Sequence, residues 1–183
     1  GLGIPYTRSN EAPPLPLEYG AMIERELGHL GCEIEIEPGR LIAGNAGILV
    51  SRVIYLKEGE GRNFLILDAA MNDLIRPAMY EAHHDIVPVS EAAPGVEQQP
   101  FDVVGPVCES GDTFARARDL APLAPDDLVA FRSAGAYGAV MASEYNTRAL
   151  IPEVLVKDDQ FAVIRPRPSF DDIINRDSLP EWL

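Results

Sequence analysis

The first periodic stretch follows a polar, proline-rich loop over 7–16. Tyr19, Met22, Ile23, Leu27 and Leu30 recur at helical spacing, with Glu18, Glu24, Arg25 and Glu26 elsewhere on the wheel. This spacing predicts an amphipathic helix loosened at its end by Gly28 and Gly31. From Cys32 to Glu37 apolar and acidic residues then alternate until Pro38-Gly39, the signature of a short strand in which Cys32 is a small core residue with no chemical role. Loop, helix, strand and Gly-containing turn form the pattern of the tail of an α/β unit, where ligands gather at the carboxyl ends of strands. The turn Pro38-Gly39-Arg40 falls at such an end.

Beyond Arg40 the period shortens. Ile48–Lys57, Asn63–Asp68, Asp85–Ser90, Phe101–Val104, Asp127–Ser133, Pro152–Lys157 and Gln160–Arg165 all read as strands, which predicts an all-β domain. Glu58-Gly59-Glu60-Gly61 and Asp158-Asp159 make hairpin joins, so antiparallel pairing in a sandwich or barrel is expected. A short closing helix begins at Ser169, a cap residue with Asp172 three positions on, and is expected to dock through Phe170, Ile173 and Ile174. Asp171, Asp172 and Asp177 read as a solvated face. No repeat of solenoid period is visible.

Composition narrows the function. The 183 residues carry 15 Lys+Arg against 29 Asp+Glu, a net charge of −14, with no basic block to displace counterions from a phosphate backbone. Nucleic acid is therefore not an expected partner. No apolar run reaches the ~20 residues of a membrane span, and Leu41–Leu56 is interrupted by Gly44, Asn45, Ser51 and Arg52. Cys32 and Cys108 are too few for a disulfide-stapled scaffold, which favours free thiols and the cytoplasm. The opening Gly1-Leu2-Gly3 lacks an initiator Met and a targeting profile, and is expected to belong to something longer.

Four short motifs carry chemistry. Glu37-Pro38-Gly39-Arg40 sets a carboxylate, an unshielded backbone N–H and a guanidinium on one turn. These suit an anionic, nitrogen-bearing ligand, because Gly admits close approach, Arg grips carboxylate or phosphate with two parallel bonds, and Glu can hold a ring nitrogen protonated. A simple turn with a solvated ion pair uses the same residues. Gly105-Pro106-Val107-Cys108-Glu109-Ser110-Gly111-Asp112 carries a thiol on a loop among acidic neighbours, which suits a proton donor better than an attacking thiolate and also suits an inert thiol. In Arg76-Pro77-Ala78-Met79-Tyr80, Pro77 opens a helical turn with Arg76 at the cap, so that Arg76 and Tyr80 converge on one carboxylate or, alternatively, pair with Asp73 and pack in the core. Ala134-Gly135-Ala136-Tyr137-Gly138 sets the phenol of Tyr137 where backbones come close, a candidate ligand contact. His83-His84-Asp85 has neither the geometry nor a second cluster for a metal site, and none is assigned.

Taken in order, Gly1-Leu2-Gly3-Ile4-Pro5-Tyr6, Glu37-Pro38-Gly39-Arg40, Asn72 to Tyr80, Gly105 to Asp112 and Gly135-Ala136-Tyr137-Gly138 resemble the C-terminal part of the diaminopimelate decarboxylase family, one branch of the pyridoxal-phosphate-dependent ornithine/diaminopimelate/arginine decarboxylases. The resemblance implies the end of a (β/α)₈ (TIM) barrel over 1–40 and a β-domain over 41–183. It implies a lyase of lysine biosynthesis that converts meso-2,6-diaminopimelate to L-lysine and CO₂, with pyridoxal 5′-phosphate held by a barrel lysine. Gly1, Gly3 and Gly39 are implied at the phosphate, Glu37 at the ring nitrogen, Arg40 and Tyr137 at cofactor and substrate, and Arg76 and Tyr80 at the substrate's distal carboxylate. Cys108 is implied as proton donor and Glu109 as partner of the distal amino group. A homodimer with composite sites is also implied. Glu109, Arg76 and Tyr80 separate this reading from ornithine or arginine decarboxylases, which lack a second substrate carboxylate. Lys57 and Lys157, the only lysines, lie outside a barrel context, so this chain is expected to be inactive alone and to need the N-terminal part. The competing reading is a non-catalytic β-domain for dimerisation or regulation.

Overall fold

The computed structural model describes residues 2–7, 13 and 15–182. Helix α1 spans Pro16–Leu27, with the Leu15 N–H bonded to Glu18 Oε2 at 3.0 Å and no side chain buried. Residues 31–38 form no strand, and Cys32 is exposed rather than in a core. Alternation alone does not make a strand: the backbone groups need a neighbour to pair with, and no described strand lies beside them.

The main body is a six-stranded sheet. Its strands are β1 (Leu49–Gly59), β2 (Arg62–Leu67), β3 (Ile86–Pro88), β4 (Gln99–Val104), β5 (Thr113–Leu120) and β6 (Leu128–Phe131), in the order β3-β6-β1-β2-β4-β5. The expected antiparallel sandwich or barrel is instead a mixed sheet, because the chain crosses over from β2 before pairing parallel to it as β4. The hairpin at Glu60-Gly61 is antiparallel as expected, and Gly61 supplies the positive φ of 79° that the turn requires. The sheet curls into a nearly closed barrel. Phe114 of β5 meets Phe131 of β6 with ring centroids 4.7 Å apart, although the two strands are not neighbours. Across the remaining gap, Arg118 donates to the His84 carbonyl at 2.9 Å and contacts His83 Nδ1 at 3.0 Å, joining the edge strand β5 to the segment that enters β3 at the other edge.

Strand β5 is absent from the sequence reading. Its inward residues Phe114 and Leu120 are six apart, the register with β4 shifts twice, and Ala117 takes a positive φ of 45° while its N–H bonds Asp102 Oδ1. Those bulges destroy the period of two. At the start of β1 alternation reports burial faithfully: Leu49, Ser51 and Val53 point inward between exposed residues. Strands β7 (Glu153–Lys157) and β8 (Gln160–Arg165) form a separate antiparallel hairpin with Asp158 at positive φ. Helix α4 (Phe170–Ile174) is capped by Ser169 Oγ on the Asp172 N–H at 3.1 Å, yet Phe170 and Ile174 are exposed instead of docked. Among the described residues no helix is long and apolar enough to cross a membrane.

Candidate functional site

Three glycines build the first part of the site. The short helix α2 (Gly39–Ala43) runs into Gly44 and Gly47, and the Gly135 N–H bonds the Gly44 carbonyl at 3.0 Å while the Ala134 N–H bonds that of Gly47 at 2.9 Å. A Cβ on Gly135 would collide with the Ala43 carbonyl and lie 2.7 Å from Gly47 N, so the backbones touch as the small-residue run predicts. This dovetail carries Arg40 to Tyr137, whose ring lies 5.3 Å from the guanidinium carbon. Tyr137 holds a positive φ of 60° and is half exposed. A non-Gly residue in that region is uncommon and marks a turn whose surroundings fix it.

The segment 2–7 links this corner to the next. Ile4 packs on Gly44, and Tyr6 sits beside helix α3 (Arg76–Tyr80). Arg76 occupies the first turn of α3, not the cap, and is 7% exposed. Its guanidinium lies 4.8 Å over the Tyr6 ring, and Nη1 is 3.0 Å from His84 Nε2. Tyr80, one turn on, is exposed. The alternative that pairs Arg76 with Asp73 and buries Tyr80 does not hold: Asp73 pairs instead with Arg148 at 3.6 Å and accepts the Ala70 N–H, while burial pushes its carboxyl above the ordinary value. Asn72 anchors the same motif, donating to the Ser143 carbonyl and accepting from Arg148 Nε.

Cys108 and Glu109 are exposed on the loop between β4 and β5, and buried Asp112 shapes that loop. Its Oδ2 accepts the Val107 N–H and its Oδ1 the Met71 N–H, each at 2.7 Å. Gly105 has no alternative here, since a Cβ would occupy the Asp112 carboxylate. Burial pushes the Asp112 carboxyl above its ordinary value, but two N–H donors need two acceptor oxygens. Asp112→Asn keeps the shape and turns one acceptor into a donor, so it should cost roughly 1–3 kcal/mol and loosen the loop. Denaturant unfolding together with amide exchange at Val107 and Met71 measures this, and unchanged protection would refute the clamp. Glu109 Oε1 accepts the Gly111 N–H at 3.1 Å.

The structure therefore brings Arg40 to Tyr137, and segment 2–7, with Gly3 exposed in it, to both α2 and Arg76. Glu37 and Gly39 are exposed at the entrance to α2, while Gly1 lies outside the described residues. Among the described residues no hydrogen bond, ion pair or ring contact joins Cys108 or Glu109 to the others. His83 contacts Asp85 at 3.0 Å, and His84 faces the opposite way, toward Arg76 and the Arg132 carbonyl. Sequence reasoning gave no role to Tyr6, His84 or Asp112. The signals were there in part: Tyr6 closes a motif already noted, and Asp112 follows the glycine that its loop needs.

Residues 19–135, more than half of the chain, match the model of the family described as pyridoxal-dependent decarboxylase, C-terminal sheet domain. The diaminopimelate decarboxylase of Zymomonas mobilis is 47% identical over 183 residues, covering 100% of this chain and 43% of that protein. That of Vibrio cholerae is 47% identical over 183 residues, covering 99% and 43%. The crystal structure of the Helicobacter pylori diaminopimelate decarboxylase complexed with L-lysine superimposes with a TM-score of 0.87 at 39% identity, covering 96% of this chain and 42% of that one. The chain spans less than half the length of these relatives. With the mixed sheet that holds Arg76 and the Cys108 loop matched as a unit, the chain belongs to the pyridoxal-dependent decarboxylases and carries their C-terminal sheet domain.

Proposed function

We propose that the complete protein containing this chain is a pyridoxal-phosphate-dependent carboxy-lyase that converts meso-2,6-diaminopimelate to L-lysine and CO₂. One observation carries the choice of substrate. Arg76 is only 7% exposed, and among the described residues its guanidinium contacts neutral groups, an imidazole nitrogen and a tyrosine ring. A buried charge without a counter-ion is costly, and a carboxylate that the reaction leaves in place would supply one. The buried Tyr6 hydroxyl, which has no hydrogen-bond partner among the described residues, belongs to the same cluster. Tyr80 stands at its exposed end, and Glu109 would hold the distal ammonium. The names of the relatives and the L-lysine complex of one of them support the same chemistry.

The residues at α2 fit the cofactor. The Gly39 N–H precedes the first helical bond, Ile42 N–H to the Pro38 carbonyl at 3.2 Å, and a Cβ at Gly39 or Gly3 would meet nothing within 4 Å, which leaves the backbone open to a phosphate. Gly39 and Gly3, with Gly1, would hold the phosphate; Glu37 would face the ring nitrogen; Arg40 and Tyr137 would flank cofactor and substrate. When bound, pyridoxal phosphate supplies the electron sink that lets a carboxylate leave as CO₂. Cys108 holds a proton on Sγ for the carbon that has lost CO₂. Lys57 lies in β1 and Lys157 in β7, so the lysine that anchors the cofactor comes from another part of the protein.

In this reading residues 1–40 complete a (β/α)₈ barrel and 41–183 form the β-domain. Apolar side chains exposed on α1 and on both faces of the β7–β8 hairpin, Leu17, Leu155 and Phe161 among them, agree with cover by the N-terminal part. A homodimer would let the exposed Cys108 loop complete the partner's site. The test is Arg76→Lys in the complete enzyme. A point charge in place of a planar fork should raise KM for meso-diaminopimelate about tenfold and change kcat little. An unchanged KM would make Arg76 structural and remove the ground for this substrate.

A further inference from the structure

We infer that His84 is a positioning residue for substrate recognition: its neutral imidazole aims the Arg76 guanidinium by accepting one N–H, and leaves the positive charge whole for the substrate carboxylate. The inference rests on the proposed reading of Arg76 and adds the device that makes the arginine usable.

Hydrogen-bond logic fixes the tautomer. His84 Nδ1 lies 2.9 Å from the Arg132 carbonyl, which can only accept, so Nδ1 carries the proton. Nε2 then presents a lone pair to Arg76 Nη1 at 3.0 Å. A protonated ring would set N–H against N–H and charge against charge. The surroundings oppose protonation: His84 is 2% exposed, and burial first, then the charges of Arg76, His83 and Arg118, hold its pKa below the ordinary imidazole value. Tyr6 closes the cradle, with its ring 5.4 Å from the imidazole in an edge-on arrangement and 4.8 Å from the guanidinium.

The choice of a neutral partner has a consequence. An aspartate or glutamate at position 84 would orient Arg76 equally well but would neutralise it, and an incoming carboxylate would have to compete for the fork. A histidine acceptor orients the fork without that competition. Preorganisation of this kind acts on ligand affinity rather than on the chemical step.

The test uses the complete, cofactor-loaded enzyme with His84→Asn and His84→Gln. The Asn amide can still reach the Arg132 carbonyl but not Arg76, whereas the longer Gln places an acceptor near the position of Nε2. Calorimetric titration with L-lysine, which retains the carboxylate, should show affinity at least tenfold weaker in His84→Asn and restored to within about threefold in His84→Gln. KM for meso-diaminopimelate should follow the same order while kcat stays near wild type, and the affinity for cadaverine, which has no carboxylate, should not change. L-lysine affinity in His84→Asn equal to wild type, alongside a loss in Arg76→Lys, overturns the role of His84 and leaves the reading of Arg76 standing. If both variants bind L-lysine as wild type does, the reading of Arg76 itself fails. Should His84→Asn not fold, His84→Leu takes its place as the variant without an acceptor: weakened L-lysine binding with intact cadaverine binding supports the role of His84, and wild-type affinity overturns it.

Discussion

In the complete enzyme, Cys108→Ala is expected to lower kcat by about 10²-fold or more and to leave KM and the affinity for L-lysine within about twofold of wild type, the pattern of a lost proton donor. The physical ground is the division of labour in its loop. Asp112 sets the loop's course through the Val107 and Met71 N–H groups, and Gly105 makes room for it, so Cys108 holds none of the framework. Its side chain is exposed, and among the described residues no hydrogen bond is assigned to it. Removal of Sγ therefore costs little stability and no substrate contact, while it deletes the proton at that position. Steady-state kinetics with meso-diaminopimelate measures the effect. Turnover within threefold of wild type would exclude Cys108 as the donor. Loss of activity with a parallel fall in thermal stability would instead mean that the thiol supports the loop.

How far the sequence revealed this site depends on the kind of interaction that built each part. Period-two alternation revealed β1, β2 and the β7–β8 hairpin because one face or a tight turn dictated each residue in succession. It failed at Cys32–Glu37, where the alternation is present and no neighbouring strand lies among the described residues, and at β5, where two register shifts and Ala117 in a left-handed conformation scramble the faces. The parallel β2–β4 pair was invisible, since a crossover through β3 and α3 leaves no local signal. In the site, the small residues at Ala134–Gly138 gave away a close approach before its partner was known. The partner itself, Gly44–Gly47, is about ninety positions away in sequence and had to be seen. Likewise Arg76 was legible as a candidate for holding a carboxylate, but its contacts with His84 and Tyr6 are a matter of packing. A histidine eight residues downstream of an arginine carries no period and reads more easily as half of a metal site.

The close approach at Gly135 yields the second large effect. Gly135→Ala is expected to destabilise the protein by roughly 2–4 kcal/mol, because the new methyl group meets backbone on two sides instead of a side chain that can swing away. The Ala43 carbonyl and Gly47 N both lie inside contact distance of the added Cβ, and the reciprocal Cβ on Gly47 would stand 2.7 Å from Gly135 Cα, so neither strand of the dovetail can yield alone. Relief requires the segments to part, which stretches the Gly135-to-Gly44 and Ala134-to-Gly47 hydrogen bonds and moves Arg40 away from Tyr137. Stability and cofactor retention should therefore fall together. Gly39→Ala is the informative contrast: its Cβ would enter open space at the start of α2, so stability should stay within about 0.5 kcal/mol of wild type, while a methyl group set against the proposed phosphate position should weaken cofactor binding. Thermal unfolding and equilibrium dialysis of pyridoxal phosphate on the two complete enzymes separate a contact that holds the corner together from one that faces the ligand. If Gly135→Ala unfolds at the wild-type temperature, the dovetail is looser than its geometry implies, and the Arg40–Tyr137 pair must be positioned by something else.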